Sequence, residues 1–568
     1  MMLIYAEHSC SACNQWRYHM SLNTPLFSVI PEETERVAKT AFPTGNRYLR
    51  LRDTFGQLFA SADFRHLFHV EGRPAQDPAR LAVITILQFA ERLSDEQAAN
   101  AVRGRIDWKY LLALPLDDAG FDASVLSEFR TRLIQGNAEH LLFETFLTTC
   151  REAGLLRARG RQRSDSTHVL AAVRALNRLE CVGATLRHAL NSLAVVLPDW
   201  VLAHSNRDWV DRYGPRFLDG RLPESKSERE ALATLIGGDG RALLTAIDAA
   251  DTPAWLRDVP AVQTLRRVWV QNYTWTEQGT LRWRTNEELP PASQFISSPY
   301  DLDARYSQKR TTSWVGYKVH LSESCDADLP HLITNVETTS ATTSDDAVTP
   351  VIHAALEQRN LLPAVHLVDT GFIDAELLVD SEREYDVDLF GPVRGDYHRQ
   401  AQEGQGFAAQ DFTIDWDTLQ ATCPAGNTSL SWTPAIDKRT NAVIKIKFSM
   451  RDCKGCPHRG QCTDAPRRTI TIRPEEQYRA LQTARVRQVT PKFQQAYAQR
   501  AGIEGTISQG VRVTGLRRAR YVGEAKTHVQ HLATAAAMNL LRVSDWLDER
   551  PRATTRRSRF ERLYRIAA

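Results

Sequence analysis

The acidic residue best placed for chemistry is Asp369. It ends the apolar segment AVHLVD and is followed by the turn residues Thr370 and Gly371. Functional side chains in open α/β sheets collect at the carboxyl ends of strands. The alternative is that Asp369 only caps the next helix. Asp374 stands directly before AELLV and is the better cap, so we favour a functional carboxylate at Asp369.

Two further acids stand in unusual surroundings. Asp165 lies in the strand pattern SDSTHVLAAV, where an unpaired carboxylate is costly unless a cation or a metal meets it. Pairing with one of the arginines of LLRARGRQR explains Asp165 equally well. Glu504 lies between Gly502 and Gly505, and each glycine weakens a helix by roughly 1 kcal/mol. These glycines either permit close approach of a backbone or ligand or mark a loop.

Four of the nine cysteines fall within 40 residues, and they are Cys423, Cys453, Cys456 and Cys462. A CxxC pair with a third cysteine nearby is typical of structural zinc sites, in which thiolates surround the ion at about 2.3 Å. His458 is a spare candidate ligand, and free buried thiols are the alternative. We predict a structural Zn²⁺ ion that folds a small insertion. Another CxxC pair, Cys10 and Cys13, has no partners and receives no role.

Charge is segregated along the chain. The net charge of +3, from 71 Lys and Arg against 68 Asp and Glu, gives by itself no reason to expect nucleic acid. However, residues 157–163 carry four arginines and no acid, residues 512–526 five basic residues against one acid, and residues 550–568 seven arginines against one glutamate. Such clusters supply phosphate affinity, although a solvated face is the usual explanation for any one of them.

Length and composition exclude several classes of protein. With 568 residues, 42% hydrophobic and 24% charged, the chain is neither disordered nor a small disulfide-rich protein. It contains no run near the roughly 18 apolar residues of a membrane helix, and its N-terminus does not look like a signal peptide. We therefore expect a soluble, cytoplasmic protein with no membrane partner.

Hydrophobic periodicity separates helical regions from a mixed one. Residues 77–153 predict several short helices, which fit a helix-turn-helix DNA-binding module and an ordinary bundle equally well. Residues 176–300 predict a largely helical insertion. The remaining pattern, counted from the strand around Asp165, is strand, strand, strand, helix, strand, helix, strand, which favours a mixed α/β sheet.

Three segments resemble the acidic blocks of bacterial insertion-sequence DDE transposases, and they are SDSTHV, HLVDTGFIDAE and the stretch that begins YAQRAGIEGTISQG. In the third, Tyr497, Arg500 and Glu504 reproduce the Tyr, two residues, Arg, three residues, Glu signature of one large group of these enzymes. That signature continues to a Lys seven positions after the Glu. This chain has Val511 there, followed by Arg512, so the Lys role is either shifted to Arg512 or missing.

The resemblance spans about residues 70–545, with little of it in 176–300. The helical block at 77–140 is similar to the N-terminal domain of these transposases, and YSQKRTTSWVGYKVHLSE resembles their second-strand region. The implied fold class is α/β, an RNase H-like mixed-sheet catalytic core interrupted by insertions and preceded by an all-α DNA-binding domain. The implied domains are an N-terminal arm (1–45), a helical DNA-binding domain (46–155), a discontinuous core (156–175, 301–395 and 476–548), a mostly helical insertion (176–300), a Cys-rich zinc-binding insertion (396–475) and a basic tail (549–568).

By the same resemblance, Asp165, Asp369 and Glu504 are catalytic and hold two Mg²⁺ (or Mn²⁺) ions roughly 4 Å apart, which serve strand nicking and then attack of the freed 3′-hydroxyl on target DNA. Arg500 is a candidate phosphate clamp, and Tyr497 packs on a base or sugar, with a plain surface or core role as the alternative for both. The expected DNA-binding residues are Tyr497, Arg500, Arg512, Arg517, Arg518, Arg520 and Lys318.

The expected function is therefore transposition, with the terminal inverted repeats and target DNA as partners, bound by a homodimer at the nucleoid. Two alternatives stay open. One is a catalytically inactive DNA-binding relative or repressor, and the other is a metal-dependent nuclease that cuts without joining. The presence of all three acids favours the enzyme.

Overall fold

The computed structural model describes residues 29–69, 75–218, 220, 222–395, 399–402 and 406–551. The Cys10 and Cys13 pair and most of the basic tail lie outside these residues. The first α-helices of the described residues are α1 (Glu32–Ala41), α2 (Arg47–Phe55), α3 (Pro78–Glu91), α4 (Asp95–Gly104), α5 (Ile106–Leu111), α6 (Ser124–Gln135) and α7 (Leu141–Glu152). Helix α3 begins at Pro78 because Asp77 accepts a hydrogen bond from the Ala79 amide. Proline is tolerated in the first turn because the N–H that it lacks would have no acceptor within the helix there.

A helical insertion follows the first strand, β1 (Arg161–Leu170). Its elements are α8 (Arg178–Val196), α9 (Pro198–His204), α10 (Arg207–Tyr213), α11 (Lys226–Ile247), α12 (Pro260–Asn272), β2 (Tyr273–Trp275) and β3 (Leu281–Trp283). Leu186, Ile236 and Val262 belong to a hydrophobic cluster that is separate from that of the main sheet. The insertion thus has a core of its own, and its helical character is as predicted.

The chain then returns to the sheet through β4 (Arg305–Lys309), β5 (Thr312–Ser324), β6 (Ile333–Ser340), α13 (Thr349–Gln358), β7 (Val365–Leu367), α14 (Ala375–Tyr385) and β8 (Asp388–Phe390). A second insertion contains α15 (Arg399–Gln402), β9 (Thr413–Asp415), β10 (Gln420–Thr422), β11 (Ser431–Ile436), β12 (Ala442–Lys447), α16 (Met450–Gly455), α17 (Arg459–Cys462) and β13 (Thr469–Ile472). It also has a small hydrophobic cluster, which includes Phe412, Ile446 and Ile470.

The last elements are α18 (Glu475–Gln488), α19 (Pro491–Tyr497), a 3₁₀ turn (Ala498–Ala501), α20 (Gly502–Gln509), a π-helical turn (Gly510–Thr514) and α21 (Glu524–Leu547). The region around Glu504 is therefore a helix that begins at Gly502, and the loop alternative is wrong.

The central sheet has the order β4–β5–β1–β7–β8, and β6 also pairs with β5. Strand β1 is antiparallel to β5 and parallel to β7, and β7 is parallel to β8. Four strands paired antiparallel (β4, β5, β6 and β1) and the two parallel crossover strands β7 and β8 form the RNase H-like core that the resemblance implies, so the predicted fold class is confirmed.

The N-terminal helices and the sheet share one hydrophobic cluster. It runs from Leu87 of α3 and Phe143 of α7 through Leu532 of α21 to Val319 of β5. Helix α21 thus joins the helical region to the sheet. Among the helices that the structure describes, none is both long and apolar enough to cross a membrane.

Candidate active site

The parallel pairing of β1 with β7 brings two of the predicted acids together. Arg163 is opposite Leu367 in this register. Asp165, within β1, and Asp369, just after β7, each stand two residues beyond this pair. The two acids are therefore neighbours in adjacent segments of the chain. Oδ1 of Asp369 accepts a hydrogen bond from the Gly371 amide at 2.8 Å, which fixes the carboxylate in the turn. Asp374, as predicted, caps α14 by accepting from two amides.

Arg500 joins these acids to Glu504. Its guanidinium lies 2.7 Å from Asp165 Oδ2, 3.8 Å from Asp369 Oδ2 and 2.9 Å from Glu504 Oε1. The side chain of Arg500 is only 12% exposed, whereas that of Glu504 is 63% exposed. The three predicted acids therefore converge on one cation, and Arg500 and Glu504 face the same side as expected.

The partner of Asp165 is thus not one of the nearby arginines, and that alternative is wrong. Within residues 157–163, Arg157 pairs with Asp328, Arg159 with Asp386 and Arg163 with Glu323. Three of these four arginines therefore form ion pairs with acids of the same chain. This stretch consequently offers less positive charge to DNA than its sequence predicts.

Burial controls the electrostatics of the site. It raises the pKa of Asp165 to about 6, although Arg500, the Ser166 amide and Lys309 act in the opposite direction. Burial also raises the pKa of Tyr497. The Tyr497 ring stacks on Phe493 with centroids 5.5 Å apart, and Phe493 stacks on Phe390 at 4.5 Å. An aromatic column thus holds Tyr497 next to Arg500.

A buried ion network fastens the helix of Glu504 to the sheet. The Glu323 carboxylate of β5 is fully buried and accepts hydrogen bonds from Arg163 of β1, Arg542 of α21 and Thr506 of α20. Arg163 also donates to the Gln499 carbonyl at 2.5 Å.

Gly502 belongs to this arrangement because a Cβ there would lie 2.0 Å from Arg163 Nη1. The absence of a Cβ at Gly502 therefore admits the Arg163 side chain, rather than the backbone or ligand expected from the sequence. A Cβ at Gly505 would meet nothing within 4 Å.

The sequence did not point to Asp345, a fourth carboxylate beside the site. Its Oδ1 accepts from Ser166 Oγ at 3.0 Å and lies 3.4 Å from Lys318 Nζ and 3.7 Å from His320 Nδ1. Asp345 precedes a helical turn, which makes it resemble a cap, yet it makes no capping hydrogen bond. Lys318 also donates to the Thr343 carbonyl at 2.6 Å, so its ammonium is engaged within the chain.

The predicted DNA-binding arginines differ in their exposure. Arg512 and Arg518 are exposed, whereas Arg517 is partly buried and donates to Thr167 Oγ1 at 2.7 Å. Arg520 lies over the Phe89 ring and donates to the Leu93 carbonyl, so it docks the core onto the helical region. Val511, at the position of the signature Lys, packs against the main hydrophobic cluster.

The four cysteines of the second insertion gather around one small cavity of ≈ 30 Å³, together with His458. Cys453 Sγ accepts a hydrogen bond from the Arg468 amide at 3.4 Å. Burial raises the pKa of Cys462, Arg468 opposes this rise, and the other three thiols add to it. The four cysteines that the sequence singled out therefore line one cavity, and a Zn²⁺ ion among them stays a prediction.

Within the described residues, no group of three or more His, Cys, Asp or Glu side chains is arranged so that it could hold a metal ion. At the acids, the Arg500 guanidinium occupies the space between the carboxylates. The donors themselves suit Mg²⁺ because they are hard carboxylate oxygens. The residues thus fit the ion in chemistry once Arg500 moves aside.

The sheet order, with Asp165 within β1, Asp369 just after the neighbouring β7 and Glu504 on the later helix α20, agrees with the RNase H-like core that the resemblance to DDE transposases implies. The family model described as "Transposase DDE domain" matches residues 422–544, and "Transposase domain (DUF772)" matches residues 36–132. These two matches support the assignment of the chain to the insertion-sequence DDE transposases. No curated protein and no solved structure matches the chain.

Proposed function

We propose that the chain binds the terminal inverted repeats of an insertion sequence, cleaves DNA there and joins the freed strand to target DNA. The observation that carries this proposal is the convergence of Asp165, Asp369 and Glu504 on the Arg500 guanidinium. Carboxylates that lie this close together repel one another unless a cation neutralises them. We propose that Mg²⁺ or Mn²⁺ is this cation when DNA is cleaved.

In this proposal Asp165, Asp369 and Glu504 would hold two Mg²⁺ or Mn²⁺ ions. The ions would make the phosphorus more electrophilic and the attacking oxygen more nucleophilic. Arg500 then leaves the carboxylates and contacts a DNA phosphate, for which its planar guanidinium is suited. Tyr497 packs on a base or sugar from its aromatic column.

The remaining DNA contacts that we propose come from Arg512, Arg517, Arg518, Arg520 and Lys318. Arg512 is exposed next to the partly buried Val511, which supports Arg512 as the replacement for the signature Lys. Arg520 and Lys318 are engaged within the chain, so contact with DNA requires them to exchange partners. We also propose a homodimer on DNA, because two ends must be joined, a nucleoid location in the cytoplasm, and the six-part domain division given above.

The test combines purified protein, a DNA fragment with the inverted repeats that flank the reading frame, a target plasmid and Mg²⁺. Nicked ends followed by joined product support the proposal. End binding without nicking identifies the inactive DNA-binding relative, and nicking without joined product identifies the nuclease. Either outcome contradicts transposition by this chain.

Arg500→Ala is expected to raise the affinity for Mn²⁺ in the absence of DNA by on the order of tenfold, because a competing cation is removed from the carboxylates. The measurement is an electron paramagnetic resonance titration of free Mn²⁺. Arg512→Ala removes an exposed arginine outside this ion cluster and should leave the titration unchanged. Equal or weaker Mn²⁺ binding by Arg500→Ala contradicts a carboxylate site that Arg500 occupies.

We further propose that Cys423, Cys453, Cys456 and Cys462 hold a structural Zn²⁺ ion. Purified protein is then expected to contain about one zinc ion per chain by mass spectrometry. Cys453→Ser should lose that zinc and expose the second insertion to protease, because the ion organises a segment with a small core. Cys150→Ser alters a buried cysteine elsewhere and should retain zinc. Zinc-free wild-type protein with an intact insertion contradicts the site.

A further inference from the structure

The hairpin formed by β4 and β5 presents a basic tip. Lys309 pairs with Thr312 across the hairpin, and Arg310 begins the turn with a left-handed φ of 56°. Residues 308–313, QKRTTS, are all exposed. The segment from Arg305 to Lys318 contains no acid, so no carboxylate of the hairpin neutralises its charge.

Gly316 of β5 lies at the base of this hairpin, opposite Arg305. Gly316 has a φ of 152°, and a Cβ there would lie 2.1 Å from the Val169 carbonyl oxygen, which only glycine tolerates. The Trp314 ring packs on His168 of β1 with centroids 5.4 Å apart, and Trp314 Nε1 donates to the Tyr317 carbonyl. The base of the hairpin is thus rigidly attached to the strand that carries Asp165.

The charge at the tip acts on the acidic site. The positive charge of Lys309 works against the burial that raises the pKa of Asp165, and it also acts on His320. Neither Lys309 nor Arg310 has an ion-pair partner among the described residues. Lys309 and Arg310 are therefore exposed cations without an ion-pair partner among the described residues, and the charge of Lys309 reaches Asp165.

A DNA strand needs cations at this place. The carboxylates that would hold the metal ions repel the phosphates on either side of the reacting phosphate. The metal ions would neutralise the acids and the reacting phosphate, so the flanking phosphates still need cations from the protein. On the basis of the proposed function, we propose that Lys309 and Arg310 bind the backbone phosphates that flank the cleaved bond. The contacts are independent of DNA sequence, because phosphates are the same at every step.

The chain contains a matched control for this proposal. The β11–β12 hairpin carries the same Lys-Arg-Thr tripeptide at its tip, as Lys438, Arg439 and Thr440, and both basic residues are exposed. This hairpin lies in the second insertion, and Asp437 precedes the tripeptide. The two tips share local chemistry and differ in their position relative to Asp165.

The experiment compares the wild-type protein, Lys309→Gln with Arg310→Gln, and Lys438→Gln with Arg439→Gln. Binding of a fluorescein-labelled duplex oligonucleotide is measured by anisotropy over a series of salt concentrations. The slope of the logarithm of the DNA association constant against the logarithm of the salt concentration is negative. The β4–β5 variant is expected to make this slope less steep by about 1.8, since each lost phosphate contact removes about 0.9. The β11–β12 variant should keep the wild-type slope, and both should keep the wild-type melting temperature.

An unchanged slope in the β4–β5 variant, or an equal drop in both variants, overturns the proposal. So does the absence of duplex binding by the wild-type protein. Cleavage of the ends is assayed in parallel to separate this proposal from the proposed function. A selective loss of slope without any wild-type cleavage supports the hairpin contact and contradicts the transposase activity, whereas wild-type cleavage with an unchanged slope contradicts the hairpin contact alone.

Discussion

Asp369→Asn is expected to lower the rate of strand cleavage by on the order of 10³-fold or more, because several kcal/mol of transition-state stabilisation depend on carboxylates that hold the ions. Asp165→Asn and Glu504→Gln should act in the same way. The measurement is single-turnover nicking of a labelled end fragment in Mg²⁺. Duplex affinity should not fall, because the substitutions remove negative charge from a DNA-binding surface.

Asp374→Asn is the matched control for this first prediction. Asp374 lies five residues after Asp369 and caps α14, and asparagine is an equally good cap. The control should therefore keep both stability and cleavage. Wild-type nicking rates in Asp369→Asn, or an equal loss in Asp374→Asn, would contradict the assignment of Asp369 to the site.

Glu323→Gln is expected to destabilise the core by about 3–5 kcal/mol, since it leaves the buried Arg163 and the partly buried Arg542 without their anion. Burial alone would raise the pKa of Glu323, but Arg542 and Arg163 hold it below its usual value, so the carboxylate stays ionised. A depressed pKa means that this stabilisation is present at neutral pH and is lost as the pH falls.

Amide hydrogen exchange in β1 and α20 is the suitable measurement of this destabilisation, because a chain with several hydrophobic cores need not unfold in one step. Glu288→Gln is the control. It breaks a solvent-exposed ion pair with Arg282 and should leave amide exchange in β1 and α20 unchanged. Unchanged exchange in α20 of Glu323→Gln would show that the network does not hold the helix of Glu504.

The sequence predicted the elements of the core well, because each has a strong periodic pattern and a clear start or stop. The rule that functional residues lie at the carboxyl ends of strands singled out Asp369, whereas only the resemblance grouped it with Asp165, which lies inside β1. The ion-pair partner of Asp165 could not be predicted from the sequence. Arg500 is 335 positions away in a segment with no pairing signal of its own, and nearness in sequence favoured the wrong arginines.

Asp345 and Glu323 were missed for related reasons. Asp345 precedes a helical turn, where an acid is expected for local reasons alone. Glu323 lies in a strand pattern, and nothing in that pattern reveals that Arg163 and Arg542 meet it. Those contacts span 160 and 219 positions of sequence and depend on how the sheet and α21 pack. Side-chain networks of this kind are products of tertiary structure.

The helical insertion between β1 and β4 has a consequence for synthesis of the chain. Strand β1 leaves the ribosome long before its antiparallel partner, because Arg163 and Glu323 are 160 positions apart. The insertion has its own hydrophobic cluster and can become compact during this interval. Arg542, which completes the network behind Glu504, is translated 219 positions after Glu323. A nascent chain therefore carries all three acids before it carries Arg542, and the network that holds α20 against β5 is complete only after α21 emerges.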